Sequence, residues 1–418
     1  MRYNTATLSN GLRIIHRMSD SPVVYCGYQI AAGTRNEEKG AEGLAHFCEH
    51  LTFKGTRRRT ALQILSHLES VGGDLNAFTT KESTTFYAAI PREHTMRAVN
   101  LLTDIVFDSI FPQHEIEKEA EVVCDEIESY NDSPIELIYD EFENLLFQGH
   151  PLGHSILGSA ENVRRFTTED ALRFTRRYYR PDNAVFFAYG NLNFEQLKKK
   201  LERLSKDIPS STVITPPSTV ITPPSSVIIP PSSVTIPPST IIEKHTHQAH
   251  VMTGCVAYPI GHPDRIALYL LNNMLGGPGM SARLNVILRE RHGLVYTVES
   301  SMVCYGDTGI WNIYFGCDPH DVSRCLRLIR RELNRLMHNP LTVRQLNAAK
   351  RQIKGQISIA CDNREQFALD FSKSYLFNGK ERNIEELYRQ IDAITPEQIH
   401  KVANELFEEH HLKTLIIQ

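Results

Sequence analysis

The sequence predicts an α+β protein of two tandem homologous domains, each an α/β sandwich in which helices cover a mixed sheet, joined by a proline-rich linker. Three observations predict this class. The chain has 418 residues, more than a single hydrophobic core usually serves. Its composition changes sharply over residues 208–242. The segments on either side repeat one order of strand and helix patterns. We therefore expect domains at 1–207 and 243–418.

The two halves share the order of their elements. In the first, the strand pattern VVYCGYQIAAG precedes a helix pattern, and Thr167 with Asp170 later opens the helix TTEDALRFTRRYY before the strand AVFFAYG. In the second, VMTGCVAYPI comes first, and Thr395, Pro396 and Gln398 open TPEQIHKVANELF before LKTLIIQ. A duplicated domain explains this better than one continuous fold. Chance similarity is the alternative, because strand followed by helix is a common order.

The segment between the halves is repetitive. Pro-Pro-Ser recurs with a period of seven at Pro216, Pro223, Pro230 and Pro237. Proline fixes φ and removes a backbone donor, so residues 208–242 favour an extended linker over a packed domain. The β-branched residues between the prolines leave a second interpretation, an irregular edge strand lying along a surface.

Composition and charge exclude some classes of partner. Apolar residues make up 41% and charged residues 22%, and the formal net charge is -4. This balance favours neither nucleic acid nor an anionic membrane.

No signal peptide is evident in MRYNTATLSNGLRII, and no later apolar run could span a bilayer, so we expect a soluble, cytoplasmic protein. Eight cysteines lie singly and are expected to be reduced and mostly buried.

A pair of histidines gives the first chemical signal. In GLAHFCEHLTF, His46 and His50 are four residues apart, so on a helix both imidazoles lie on one face. Glu49 lies on the flank of that face, whereas Cys48 points away and is not counted as a ligand. This is the H-x-x-E-H arrangement of the inverzincins. Short patterns also arise by chance, and a catalytic zinc needs a third protein ligand and an open position.

The acidic segment EIEKEAEVVCDEIESYNDSP offers that third ligand. Glu126 lies 76 positions after His50, and Glu119 precedes Glu126 by seven. With HFCEHLTFKGT, GGDLNAFTTKEST and DEIESYNDSP, this spacing resembles the pitrilysin and mitochondrial processing peptidase family, in its bacterial two-domain form. The resemblance extends along the chain except over the proline tract. It implies one Zn²⁺ per chain, held by His46, His50 and Glu126, with Glu49 as general base.

The role of Glu119 follows from helix geometry. Residues seven apart stand about 10 Å apart along a helix axis, so both glutamates cannot easily bind one ion. We expect Glu119 to orient a ligand of the ion instead. The alternative for the whole segment is an amphipathic helix with a solvated acidic face.

The resemblance also implies substrate-binding residues. Asn76 and Ala77 match the family's edge strand, which pairs with an extended peptide; a plain hairpin strand is the alternative. Glu82 lies in a neighbouring Lys-Glu-Ser stretch and is expected to support substrate binding. Arg289 and Tyr296 resemble the pair that many members direct at the bound peptide. Their alternative is a surface arginine and a core tyrosine.

Two further features bear on function. His245, His247 and His250 have metal-like spacing, but alternating histidines at a strand entry are more often solvated, and a second metal site is the minor alternative. The helix pattern ALYLLNNMLGG in the second half lacks H-x-x-E-H, so that half is expected to be a non-catalytic copy.

The resemblance implies a mechanism and an assembly. Zinc would lower the pKa of its water toward about 7 and polarise the scissile carbonyl, while Glu49 transfers the proton to the leaving amine. The family builds a closed chamber from four such domains, so we expect a homodimer that cleaves unfolded peptides or presequence-like segments. Two alternatives stay open: a catalytically inactive structural or assembly subunit, and a zinc-containing partner of a separate catalytic subunit.

Overall fold

The computed structural model describes residues 3–208 and 239–418. Its strands are β1 Tyr3–Thr7, β2 Arg13–Arg17, β3 Val23–Ile30, β4 Asp74–Thr79, β5 Thr84–Pro91, β6 Ala184–Tyr189, β7 Ser239–Ile242, β8 Ala249–Ala257, β9 Val295–Cys304, β10 Gly309–Cys317 and β11 Lys413–Ile417. Its helices are α1 Leu44–Leu51, α2 Ala61–Glu69, α3 Thr95–Phe107, α4 Gln113–Asn131, α5 Pro134–Leu146, α6 Ala160–Val163, α7 Thr168–Tyr178, α8 Phe194–Ser205, α9 Arg265–Gly276, α10 Val322–His338, α11 Val343–Ala360, α12 Arg364–Asn378, α13 Ile384–Ala393 and α14 Pro396–Leu406. A π-helical turn, Asn285–Glu290, precedes β9.

The two sheets have matching strand orders. The first sheet is ordered β1-β2-β6-β3-β5-β4, and the second is ordered β7-β11-β8-β10-β9. Without β1, the first sheet matches the second strand for strand. In each sheet the first matched pair, β2 with β6 or β7 with β11, is parallel, and the remaining pairs are antiparallel. The predicted class, two homologous α+β domains with mixed sheets, is confirmed.

The described residues form two compact units, and each takes a segment from the opposite half of the sequence. Within the described ranges, the first unit comprises 3–129, 154–208 and 360–382, and the second comprises 130–153, 239–359 and 383–418. Helix α5 therefore belongs to the second unit and α12 to the first. The predicted division at 1–207 and 243–418 follows chain order. The compact units differ from it, because α5 of the first half packs in the second unit and α12 of the second half packs in the first unit.

The linker predicted at 208–242 lies outside the described residues except for Ile208 and its last four positions. Those four residues form β7, which pairs in parallel with β11 at the edge of the second sheet. Ser239–Ile242 contains no proline, so each of its residues keeps the backbone amide that strand pairing requires. The second sheet thus begins before residue 243.

Both faces of the first sheet are covered. Along β3, side chains alternate between the faces. On one face, Tyr28 is fully buried and hydrogen-bonds Thr103 of α3 at 2.9 Å. On the other, Gln29 accepts a hydrogen bond of 2.6 Å from Ser372 of α12. The exchanged helix α12 is therefore an integral layer of this unit.

The second sheet is covered in the same way. On one face, Tyr314 packs against Tyr139 of α5, with ring centroids 5.6 Å apart, in a core shared by both segments. On the other, the fully buried Trp311 donates to Asn272 of α9 at 3.1 Å. Pro134 at the first turn of α5 explains where this helix starts, because proline suits that position and disfavours continuation of α4.

Local predictions agree with the structure. Thr167 and Asp170 form a capping box at α7, and Thr395 accepts a hydrogen bond from the amide of Gln398 at α14. All eight cysteines are free, and six of them are buried. Among the described helices, none combines the length and apolar character needed to cross a lipid bilayer.

Candidate metal centre

Helix α1 carries the three side chains of the H-x-x-E-H motif, His46, Glu49 and His50, at the edge of a core. Its N-cap is Gly43, whose φ of 98° is left-handed, and a Cβ at this position would lie only 2.6 Å from the carbonyl oxygen of Leu157. His46 and Glu49 are 7% and 8% exposed, and His50 is half-buried. The remaining side chains anchor the helix in the core: Leu44, Phe47, Cys48 and Leu51.

Helix α4 brings a carboxylate to these histidines. Nε2 of His46 lies 3.8 Å from Oε1 of Glu126, and Nε2 of His50 lies 3.4 Å from Oε2. Bonds of about 2.0–2.2 Å to a tetrahedral zinc place two ligand atoms about 3.3 Å apart. The three side chains have ligand atoms within 4.8 Å of one another, so this donor set fits a zinc ion with little movement.

The surroundings of His46 and His50 shift their pKa values in opposite directions. Burial, followed by the charge of His50, lowers the pKa of His46 to about 3, so its imidazole is neutral. Burial also lowers the pKa of His50, but the hydrogen bond with Glu119 and the charges of Glu126 and Glu49 outweigh it, and the pKa is raised. A proton on Nδ1 of His50, facing Glu119, leaves the lone pair of Nε2 directed at Glu126.

Glu119 contacts His50 on the side of the ring that faces away from Glu126. Its Oε1 is 3.0 Å from Nδ1 of His50, and its Oε2 is 2.5 Å from Nζ of Lys54. Burial raises the pKa of Glu119, but the hydrogen bonds from His50 and Lys54 more than compensate and lower it. Glu119 is thus an ionised acceptor that can fix the ring orientation of His50. Lys54 was not identified from the sequence, although it lies four residues after His50.

One of the two carboxylate oxygens of Glu49 accepts a hydrogen bond. Oγ1 of Thr79 donates to its Oε2 at 2.6 Å, whereas no described residue donates to Oε1. Burial raises the pKa of Glu49, the hydrogen bond from Thr79 and the charge of His50 lower it, and the charge of Glu126 raises it; the net change is upward. Thr79 was also missed from the sequence, because nothing local connects it to a residue thirty positions earlier.

The predicted substrate-binding residues of the first unit lie on and beside β4. Asn76 and Ala77 are within this strand, which is the edge of the first sheet and pairs only with β5 among the described strands. Glu82 lies in the following turn, where its carboxylate pairs with Arg35 at 2.6 Å.

The predicted residues of the second unit lie close to each other. The guanidinium carbon of Arg289, in the π-helical turn, lies 5.7 Å from the ring centroid of Tyr296 on β9. Tyr296 is 81% exposed, so it is not the core tyrosine of the alternative interpretation. The exposed guanidinium and ring form one surface, consistent with a cation–π contact.

The histidines beside the linker do not cluster. Within 239–418, His245, His247 and His250 are not among the groups that could hold a metal ion. His250 instead hydrogen-bonds the hydroxyl of Tyr314 at 2.9 Å. The other such group in the described chain, Asp318, His320 and Asp321, is largely exposed.

Comparisons with known proteins agree over the whole chain. The family "Insulinase (Peptidase family M16)" matches residues 13–160, and "Peptidase M16 inactive domain" matches residues 165–353. A Bacillus subtilis (strain 168) protein described as an uncharacterized zinc protease, YmxG, is 31% identical over 413 residues, which covers 98% of this chain and 97% of that protein. A similarly described zinc protease of Mycobacterium tuberculosis (strain H37Rv) is 31% identical over 408 residues, covering 97% and 91%.

Solved structures show the same fold. A protease from Helicobacter pylori matches with a TM-score of 0.87 at 22% identity, covering 100% of this chain and 99% of that chain. A Pseudomonas fluorescens protein described as a peptidase M16 inactive domain matches with a TM-score of 0.86 at 20% identity, covering 100% and 98%. Together with the sequence matches, these findings establish that the chain belongs to peptidase family M16, the pitrilysin family that its motifs resemble.

Proposed function

We propose that this chain is a zinc-dependent endopeptidase that cleaves unfolded peptides or presequence-like segments. The observation that carries the proposal is the convergence of His46, His50 and Glu126, with Glu49 beside them on α1. Two imidazole nitrogens and one carboxylate are a typical set of three protein ligands for a catalytic zinc.

The chemistry is divided between the ion and Glu49. A zinc ion bound here would supply Lewis acidity to a water molecule and to the carbonyl of the scissile peptide bond. Glu49 is suited to hold the proton that the water loses, since its Oε1 lacks a described donor and Thr79 fixes the other oxygen. The same carboxylate can then deliver that proton to the leaving amine.

Peptide binding is proposed along β4. An edge strand presents unpaired backbone groups that can pair with an extended segment, and Asn76 and Ala77 lie on such an edge. The ion pair of Glu82 with Arg35 restrains the turn that follows β4. A substrate strand there would lie beside the strand that carries Thr79.

Arg289 and Tyr296 are proposed to contact the peptide or the developing oxyanion. Their adjacency and exposure support this role, because each offers a donor to solvent. We further propose a homodimer with one zinc site per chain, in which the second unit of one chain completes the chamber of the other.

The principal alternative is an inactive structural or assembly subunit of the same fold. The complete ligand set in the first unit favours the enzyme, since an assembly role needs neither the two histidines nor Glu49. A third possibility, a zinc-containing partner of a separate catalytic subunit, requires that the isolated chain be inactive.

The decisive experiment combines metal analysis with an activity assay. The purified full-length chain is incubated with a mixed peptide library, with and without a zinc chelator, and the products are sequenced. We expect close to one zinc per chain and cleavage within peptides that the chelator abolishes. Zinc without turnover would favour the partner role, and absence of metal from active protein would exclude the proposed mechanism.

A further inference from the structure

The N-terminus of α1 is stabilised by a residue outside the helix. Glu37 accepts hydrogen bonds from the backbone amides of Gly43 at 3.0 Å and Ala45 at 2.7 Å. The first amides of a helix have no partner within it, and a negative charge at this end interacts favourably with the helix dipole. Because Gly43 has no side chain, Glu37 supplies the acceptor that an N-cap residue would normally provide.

The carboxylate of Glu37 also links two other segments. Its side chain is fully buried, and its Oε2 lies 2.9 Å from Nε2 of His154. The Nζ of Lys81 donates to the backbone carbonyl of His154, and Lys81 is only 2% exposed. Lys81 lies in the turn between β4 and β5. Glu37, Lys81 and His154, here called the Glu37 network, therefore connect the start of α1 with the end of the edge strand.

The segment that carries Glu37 is fixed against the same turn. The amide of Thr34 donates to the carbonyl of Thr80 at 3.2 Å, and the amide of Arg35 donates to the carbonyl of Lys81 at 2.8 Å. The side chain of Arg35 pairs with Glu82 at 2.6 Å. Backbone and side-chain contacts thus leave Glu37 little freedom to move with respect to β4.

The Glu37 network meets the candidate metal centre at two points. Ala45 directly precedes His46 in a helix of only eight residues, so a shift of the first turn moves both imidazoles relative to Glu126. The strand β4 carries Thr79, which holds Glu49. Ligand and base positions are sensitive to errors well below about 1 Å.

We propose that Glu37 is a positioning residue that fixes α1 so that His46 and His50 meet Glu126 at the separation a zinc ion requires. The proposal rests on the proposed function for the identity of the ion. Glu37 touches neither the ion nor the substrate and acts through the backbone of α1. Groups that hydrogen-bond a ligand side chain typically contribute about 10–100-fold to metal affinity, and this range is the upper bound for Glu37, which bonds the helix backbone.

The first test is zinc affinity, measured by competition with a chelator on the full-length chain. Glu37→Gln keeps the shape but loses the charge and one acceptor oxygen, so we expect affinity to fall about tenfold; Glu37→Ala should cost up to about 100-fold. Asn193→Ala is the matched control. It removes the side-chain acceptor at the N-terminus of α8, 3.0 Å from the amide of Gln196, and should lower thermal stability without changing zinc affinity.

The second test does not depend on zinc. Amide hydrogen exchange of residues 43–51 in the metal-free chain should accelerate in Glu37→Gln and, to a smaller extent, in His154→Ala, but not in Asn193→Ala. His154→Ala also serves if Glu37→Ala does not fold. Zinc affinity within twofold of wild type in the Glu37 variants, or unchanged exchange in α1, would overturn the positioning role. A wild-type chain that binds no zinc would instead overturn the proposed function, and exchange would still report whether Glu37 orders α1.

Discussion

Helices α1 and α9 follow matching strands in the two units, yet only α1 carries the H-x-x-E-H residues. Helix α1 packs against β4, and α9 packs against β9, its counterpart in strand order. In each unit one polar helix side chain binds a hydroxyl of the edge strand: Glu49 with Thr79 at 2.6 Å, and Asn272 with Ser300 at 2.5 Å. Both units therefore have a polar contact between this helix and the edge strand.

The partners of these two polar groups differ. Asn272 accepts from Ser300 and from Trp311, and its amide donates to the carbonyl of Ser300 at 3.1 Å. Every polar atom of that side chain thus has a structural partner. Among the described residues, only one oxygen of Glu49 has a hydrogen-bond donor, and the same helix carries His46 and His50. A buried polar group that is fully bonded stabilises a fold, whereas one with an unused acceptor can take part in a reaction.

The largest effect should come from removing the acceptor on α1. Glu49→Gln removes the base and leaves the ligands, so turnover should fall by about 10²–10⁴-fold while zinc content stays near that of wild type. Peptide turnover and metal content are measured together. Glu117→Gln, an exposed carboxylate on α4, is the control and should behave as wild type. A Glu49→Gln chain that turns over at the wild-type rate would exclude Glu49 as the base.

The contribution of the second unit is tested by mixing inactive variants. Glu49→Gln lacks the base, and the double variant Arg289→Ala, Tyr296→Phe should be strongly impaired in substrate alignment. If Arg289 and Tyr296 serve the partner chain, a mixed dimer contains one complete site. Co-expression should then recover up to about a quarter of wild-type activity. Activity equal to the sum of the two variants, when mixed dimers are shown to form, would mean that the pair acts within its own chain or not at all.

The corresponding change on α9 should affect stability and not chemistry. Asn272→Ala leaves the Nε1 of Trp311 and the hydroxyl of Ser300 without their buried acceptor, so the free energy of unfolding should fall by about 2–3 kcal/mol. Calorimetry on the full chain measures the loss. Zinc content per folded chain should not change, and a loss of zinc from this variant would contradict the separation of roles between α1 and α9.

The smallest effect concerns the start of α9. Burial raises the pKa of Asp264, but hydrogen bonds from Lys401 and Gln398 lower it more, so it lies below its usual value of 3.8. A depressed pKa adds stability above that value, and this stability is lost as pH falls through the folded pKa. Asp264→Asn should therefore lower the melting temperature at pH 7 by a few degrees and flatten its decline below about pH 4. Asp362→Asn, at an exposed position, is the control; identical pH profiles for wild type and Asp264→Asn would refute the linkage.

Local signals in the sequence indicated several elements and the candidate ligands on α1. Capping pairs such as Thr167 with Asp170 lie within one helical turn, and the four-residue spacing of His46 and His50 is itself a helix property. Short apolar runs indicated β3, β6 and β8, and these signals are local too. Assignment of Glu126 needed a family resemblance, since no local rule connects positions 76 residues apart.

Only the tertiary structure decided which sheet each helix covers and what supports the site. The apolar face of α5 indicates that one side of this helix is buried but not which sheet covers it, because apolar burial is non-directional and either sheet offers a suitable surface. Glu37 and Thr79 reach α1 from other segments, and their hydrogen bonds depend on how those segments fold back. The sequence alone determined the apolar runs and capping pairs of several elements and the residue types on α1; long-range packing determined the exchange of α5 and α12 and the acceptor that holds the first turn of α1.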